Sequence, residues 1–299
     1  METLGKSMPE PPKPSGENWS RVAKAYDDIL DENDALNPVG AAVRQILQVV
    51  DTTLPFDQAS YIIDMGTGSG PLISGVLNSA QHAAQIPSSA RIVAADVAQG
   101  LLDMLMERKA ERAATAPDSV WNRLEVQLWD ARDLSKEVAD DQASHLVSSY
   151  AYMAFRDEAQ ALKEACRILQ PGGLFIETSF GFTEWGHLPK FFAAVRPEKL
   201  APGPGEHWGS VEGVRATLEA AGFKDVKARE YEVGIPCETQ QGAVDLIFNI
   251  FPFIKGFIAD MSVGEVAEAK RLMVEYVKER HPEEPLVLRG VGLVGWASK

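Results

Sequence analysis

The 299-residue chain carries 29 Lys and Arg against 43 Asp and Glu, a formal net charge of −14, with 45% hydrophobic and 24% charged residues. Those proportions are ordinary for a globular protein and exclude wholesale disorder. The acidic balance argues against a nucleic-acid backbone as the main partner, and two cysteines, Cys166 and Cys237, are too few for a disulfide framework or a thiolate zinc site. Residues 1–16 are polar and Pro-rich, so they read as a disordered leader and not as a secretory signal; a cytoplasmic location is the default. Within the apolar stretch 243–261, Asp245, Asn249, Pro252, Lys255 and Asp260 interrupt any membrane-length run, so no membrane insertion is expected.

From Trp19 to Leu36, Val22, Ala25, Tyr26 and Ile29 recur at helical spacing. Asn37-Pro38 then opens a second helix as a cap followed by a first-turn proline. Residues 17–55 are therefore an N-terminal helical cap. The pattern next alternates. Short apolar strands at 61–63, 91–95, 124–128, 146–149 and 174–178 are separated by helical stretches marked by Leu72 and Val76, by Leu101 and Leu105, and by Leu162 and Ala165. The last of these helices is halted at Pro171-Gly172-Gly173. Strands alternating with helices mean an α/β fold, a Rossmann-like, mostly parallel sheet with helices on both faces and right-handed crossovers. A helix at 211–221 and strands at 225–233 and 286–296 complete seven strands, the last one antiparallel. A pair of helices is inserted at 235–284, so residues 17–299 form one domain, with 56–180 as the ligand-binding core and 181–234 and 285–299 as its remainder.

In an open parallel sheet, ligands bind at the carboxyl ends of the strands, near the topological switch point. Asp64, Asp96 and Asp130 fall at such ends, and Asp64-Met65-Gly66-Thr67-Gly68-Ser69-Gly70 joins the first strand to its helix. Glycines there let the backbone turn sharply and approach a ligand. A dinucleotide fingerprint would read G-x-G-x-x-G, but Pro71 stands where its third glycine belongs. Asp64 beside the loop would also repel a pyrophosphate. An acid at that position suits a cationic ligand.

The segments YIIDMGTGSG (61–70), RIVAADVA (91–98), LEVQLWDARDL (124–134) and EACRILQPGGLFIE (164–177) occur in order at appropriate distances. On these the chain resembles the class I S-adenosylmethionine-dependent methyltransferases, particularly the small-molecule group of ubiquinone/menaquinone-type enzymes. The resemblance implies that Asp64, Gly66, Thr67 and Gly68 receive the methionine end of S-adenosyl-L-methionine. It implies that Asp96, beside Val97, holds the ribose hydroxyls, that Asp130 and Ala131 read the adenine, and that Tyr26 of the cap helix covers the cofactor. Two departures stand out. His145 occupies the place before the fourth strand where this group commonly has Asp, and SSYAYMAF (148–155) replaces the Asn-Pro-Pro-Tyr-like sequence of enzymes that methylate amino groups in nucleic acids or proteins.

Methyl transfer is an in-line displacement, so the protein mainly aligns the partners and excludes water; a base is needed only for a protonated acceptor. His187 and His207 are the candidates for base or substrate contact, and Tyr152, Trp185, Phe251 and Phe253 for the acceptor pocket. His82 and His281 read as surface residues, and no metal site is expected. The leading expectation is an enzyme that methylates a small, largely apolar or aromatic metabolite at O, N or C, with no nucleic-acid partner. The competing one is a relative that binds the cofactor without methylating, as a regulatory module or a rearrangement catalyst. The insertion at 235–284 reads as a substrate-selecting lid, with a homodimer interface and ordinary core as the alternatives.

Overall fold

The computed structural model describes residues 15–17, 19, 20, 24, 36–116, 118–200, 205–251 and 254–299. Most of the expected first helix, Tyr26 and Phe253 lie outside them. Helix α1 (Pro38–Thr53) starts where expected, with the Asn37 side chain accepting from Val39 N at 3.1 Å and Pro38 in the first turn. The alternating core follows: β1 (Tyr61–Met65), α2 (Pro71–Asn78), α3 (Ala80–Gln85), β2 (Arg91–Asp96), α4 (Gln99–Thr115), β3 (Leu124–Leu128), β4 (Ala143–Val147), α5 (Glu158–Ile168) and β5 (Leu169–Thr183). Short helices α6 (Glu184–His187) and α7 (Phe191–Val195) lead to α8 (Val211–Ala220) and β6 (Lys224–Cys237). The insertion contains α9 (Gln240–Ile250), α10 (Ile254–Phe257) and α11 (Val263–Arg280) before β7 (Leu286–Ser298).

The seven strands lie in the order β3-β2-β1-β4-β5-β7-β6, with β7 antiparallel to both neighbours and the others parallel. Strands covered on both faces must be apolar throughout, and every residue of β1 and β4 is buried. Successive strand side chains point to opposite faces. Ile62 therefore joins Ile46 of α1 and Ile73 of α2 in one core, while Ile63 joins Leu162 of α5 and Leu218 of α8 in the other. Three layers result, and the order in which successive strands are added reverses between the parallel neighbours β1 and β4, which makes this the switch point. Pairing Asp64 with Ala94 and Asp96 with Leu128 brings the ends of β1, β2 and β3 to one edge of the sheet.

Several local expectations change. β4 begins at Ala143, so His145 sits mid-strand between Ile62 and Leu174 instead of at the strand end. Its imidazole meets Leu54 O at 2.8 Å and Ser144 Oγ at 2.9 Å, and burial pushes its pKa down, as expected of a neutral core histidine. His82 is also buried, between Ser79 and Asp51, and His281 pairs with Glu184 at 2.9 Å. The Pro171-Gly172-Gly173 stop falls inside the span of β5, where the pairing with β4 shifts register. Ala243, Val244 and Ile247 of α9, with Met273 and Val277 of α11, are fully buried in the same core as α1. Among the described residues, no helix is long and apolar enough to cross a membrane.

Candidate functional site

The β1–α2 connection turns through three left-handed glycines, Gly66 (φ 72°), Gly68 (φ 58°) and Gly70 (φ 86°). A Cβ on Gly66 would lie 2.3 Å from that of Ala151, so at that turn glycine is required twice over, by conformation and by space. Backbone N–H groups of Gly66 and Thr67 both donate to Ala95 O, at 2.8 and 3.0 Å, which straps the loop to β2.

Asp64 is buried at the end of β1. Its Oδ2 accepts from Thr67 Oγ1 at 2.7 Å, whereas Oδ1 has no hydrogen-bond partner among the described residues. Burial pushes the carboxyl pKa up to about 7; the Thr67 hydroxyl opposes that shift and the nearby Asp96 charge adds to it. Asp96 is held differently. Its Oδ2 accepts from Gly68 N and its Oδ1 from Ala98 N, both at 2.9 Å, so the second acid fixes the glycine loop that follows the first. Burial raises its pKa too, against those backbone donors. Asp130 forms a fork with Arg132 (Nη2 to Oδ2 2.6 Å, Nε to Oδ1 2.9 Å), which lowers its pKa.

These acids border one cleft of about 300 Å³ at the switch point. Asp64, Gly66, Thr67 and Gly68 line it on one side, and Asp96, Val97, Asp130 and Ala131 on the other. Sequence reasoning missed further lining residues: Trp129, beside a flagged acid; Tyr150 and Phe155, within the departing segment after β4; and Ser15, Gly16 and Trp19. That N-terminal piece is fastened to the start of α4. Ser20 Oγ accepts from Gly100 N at 3.2 Å and donates to Gly16 O at 2.9 Å, giving the helix the side-chain cap that Ala98 cannot.

Other expected site residues lie elsewhere. His187 stacks on Tyr276, with ring centroids 5.1 Å apart, and burial together with Lys190 and Arg280 lowers its pKa. His207 pairs with Glu158 at 3.0 Å. Tyr152 is buried against Phe175, at 5.2 Å, and Trp185 is buried edge-on to Phe180, at 5.7 Å. Phe251 closes the end of α9 against the core. Neither histidine borders the cleft, nor does any described residue of 235–284.

A family model described as a methyltransferase domain matches residues 63–176, the span that holds Asp64, the glycine loop, Asp96, Asp130 and Tyr150. "Methyltransferase ucsB" from Acremonium sp is 29% identical over 283 residues, covering 94% of this chain and 95% of that protein. The "Ubiquinone/menaquinone biosynthesis C-methyltransferase UbiE" of Geotalea daltonii is 23% identical over 236 residues, covering 73% of this chain and 94% of that one. In fold the chain is similar to the crystal structure of the [4+2]-cyclase SpnF, with a TM-score of 0.55 and 17% identity over 96% of this chain and 98% of that one.

Proposed function

Because the chain is a class I S-adenosylmethionine-dependent methyltransferase, we propose that it methylates a small, largely apolar or aromatic acceptor by in-line displacement, with the cofactor lying across the cleft at the ends of β1, β2 and β3. The observation that carries this reading is the buried Asp64 Oδ1, which lacks a partner at the mouth of a glycine turn that no side chain could fill. A buried acceptor left without a donor is costly unless a ligand supplies one. An ammonium group does so with charge assistance, and a pyrophosphate cannot.

When bound, the cofactor supplies a methyl carbon already activated by its sulfonium. The chain's own residues bind, orient and exclude water. Thr67 holds one Asp64 oxygen and leaves the other to take the ammonium. The N–H groups of Gly68 and Ala98 fix the Asp96 carboxylate so that its remaining lone pairs meet the ribose hydroxyls. Val97, 44% exposed, and Trp129 offer apolar surface to the adenine, with Ala131 at the ring edge. Asp130 can accept from the exocyclic amine by giving up part of its Arg132 fork. The acceptor class is supported by the apolar remainder of the cleft wall, Val39, Tyr150 and Phe155, and by the net charge of −14.

The test is release of S-adenosylhomocysteine from labelled cofactor in the presence of phenolic, amine and carbon-acid acceptors, with DNA and RNA as controls. Turnover with a small acceptor and none with either polymer is expected. Cofactor binding without product release for any acceptor, or tighter binding of NAD than of S-adenosylmethionine, would defeat the proposal.

A further inference from the structure

Among the described residues, Tyr150 is one of three non-glycine residues with a positive φ, and the one of them that lines the cleft. Its φ of 57° is a conformation that tyrosine rarely adopts, and such strain persists only where the surroundings over-determine it. Here they do. The Tyr150 N–H is shared between Thr178 O and Thr178 Oγ1, each at 3.1 Å. Its ring stacks on Phe180 with centroids 4.0 Å apart and planes within 6°, and Phe180 in turn meets the edge of Trp185. Its hydroxyl donates to Pro38 O of α1 at 2.9 Å, and the Tyr231 hydroxyl lies 2.8 Å away. Since the single Tyr150 proton goes to the Pro38 carbonyl, Tyr231 is the donor of that second bond.

Tyr231 reaches this point because the final strand lets it. Gly292 of β7 pairs with both Phe180 of β5 and Tyr231 of β6, and a Cβ on Gly292 would sit 2.4 Å from the Tyr231 ring. Without that side chain, the Tyr231 ring lies flat across β7 and spans from β6 to the end of β4. Burial raises the pKa of Tyr231, so its hydroxyl stays neutral and acts by geometry, not as a base.

We propose that Tyr150 is the acceptor-binding wall of the cleft, that Tyr231 is its positioning residue, and that the acceptor they select is a planar aromatic. The proposal rests on the methyl-transfer reading of the same cleft and names its substrate class. Tyr150 follows β4 directly, at the switch point beside the glycine loop, so it borders the space next to the reacting centre. A rigid aromatic face, itself backed by a second ring, favours a flat ring over a puckered one of equal size. Phe155 gives the same cleft a second aromatic surface.

The experiment uses the full chain loaded with S-adenosylhomocysteine and titrates 2-naphthol, a planar fluorescent phenol, with decahydro-2-naphthol, the same carbon skeleton saturated, as competitor. Wild type should bind 2-naphthol one to one and prefer it to the saturated alcohol. Tyr231→Phe, which removes one hydroxyl and keeps the ring on its glycine shelf, should weaken 2-naphthol about five- to tenfold, the worth of one positioning hydrogen bond. Its affinity for S-adenosylhomocysteine should stay within about twofold, so the loss is confined to the acceptor side of the cleft, which a general loosening of the fold would not produce. Tyr150→Phe, which also gives up the bond to Pro38 O, should weaken 2-naphthol at least as much, and the double variant no more than Tyr150→Phe, because loss of the Tyr150 hydroxyl already breaks the bond to Tyr231. No 2-naphthol binding, equal binding of the saturated alcohol, or unchanged 2-naphthol affinity in Tyr231→Phe would overturn the proposal. These are binding measurements, so they stand whether or not any acceptor is turned over, and a failure of methyl transfer is seen separately in the release assay.

Discussion

If Asp64 takes the cofactor's ammonium as proposed, cofactor affinity depends on pH. In the free protein the Asp64 pKa is about 7, against 3.8 for an ordinary aspartate, chiefly because the carboxyl is buried. An ammonium placed on Oδ1 favours the ionised form, so binding below pH 7 must expel the proton. If only ionised Asp64 binds, the apparent Kd carries the factor 1 + 10^(7 − pH), and affinity falls about 25-fold between pH 7.5 and 5.5. Asp96, whose pKa burial also raises, can only steepen the dependence in the same direction. Calorimetry with S-adenosylhomocysteine, which has the same amino-acid end, in two buffers of different ionisation enthalpy reads both quantities. Proton release should be close to one at about pH 6 and small at about pH 8. Asp64→Asn should bind more weakly and lose the slope. The sign for folding is opposite to that for binding: a carboxyl whose folded pKa is raised stabilises the ligand-free protein below its ordinary pKa and loses that contribution as pH rises towards 7. Flat affinity from pH 5.5 to 7.5, or a slope that survives in Asp64→Asn, would refute the placement of the ammonium at this oxygen.

Asp96→Ala should lose charged hydrogen bonds worth about 1.5–3 kcal/mol, roughly tenfold to over a hundredfold in cofactor affinity by calorimetry; a folded variant with unchanged affinity removes Asp96 from the site. Gly66→Ala should abolish detectable cofactor binding, because its Cβ collides with Ala151 in a left-handed turn; normal binding would mean that the turn relaxes freely. Glu177, 1% exposed on β5, has no described residue in full hydrogen-bond geometry with either carboxyl oxygen, and burial, opposed by the Ser148 hydroxyl and the backbone N–H groups of Tyr152 and Thr178, raises its pKa well above the ordinary range. Its neutral form is therefore favoured in the fold, and stability should fall as pH rises above the ordinary carboxylate pKa. The melting temperature of Glu177→Gln should gain on wild type between pH 5 and 8; a constant difference would show that Glu177 does not titrate there.

The order of the core elements was legible because buried parallel strands read as short apolar runs, the first three of them with an acid where the next turn begins. Asp64, Asp96 and Asp130 were visible for that reason, and the glycine loop because three glycines in five residues have few other uses. Residues placed by long-range contacts were not. His187 is close in sequence to the end of β5, but its ring is claimed by Tyr276 from the insertion. Tyr150 and Tyr152 stand two apart in one segment, and which of them faces the cleft depends on a left-handed tyrosine that local preference disfavours. His145 looked like a strand end because Ala143 and Ser144 carry little apolar signal, although both are buried and Ala143 pairs with Leu169. The apolar helix of the insertion has more hydrophobic surface than one face needs, yet sequence does not say whether a core, a ligand or a second copy covers it. Ala243, Val244 and Ile247 go into the core beside α1.

The place of β7 has a consequence for how the chain is made. It is the last of these seven strands to leave the ribosome, yet it lies between β5 and β6, which have no pairing with each other. Until its residues emerge, a nascent chain holds two unpaired strand edges, a state open to wrong partners. Gly290, Gly292 and Gly295 let Trp185, Tyr231 and Val214 lie against this strand once it is in the gap. Completion of the sheet and the seating of Tyr150 are then one late event, so a chain that stops short of Leu286 carries Asp64, the glycine loop and Asp96 but lacks the strand that seats Tyr231 against Tyr150.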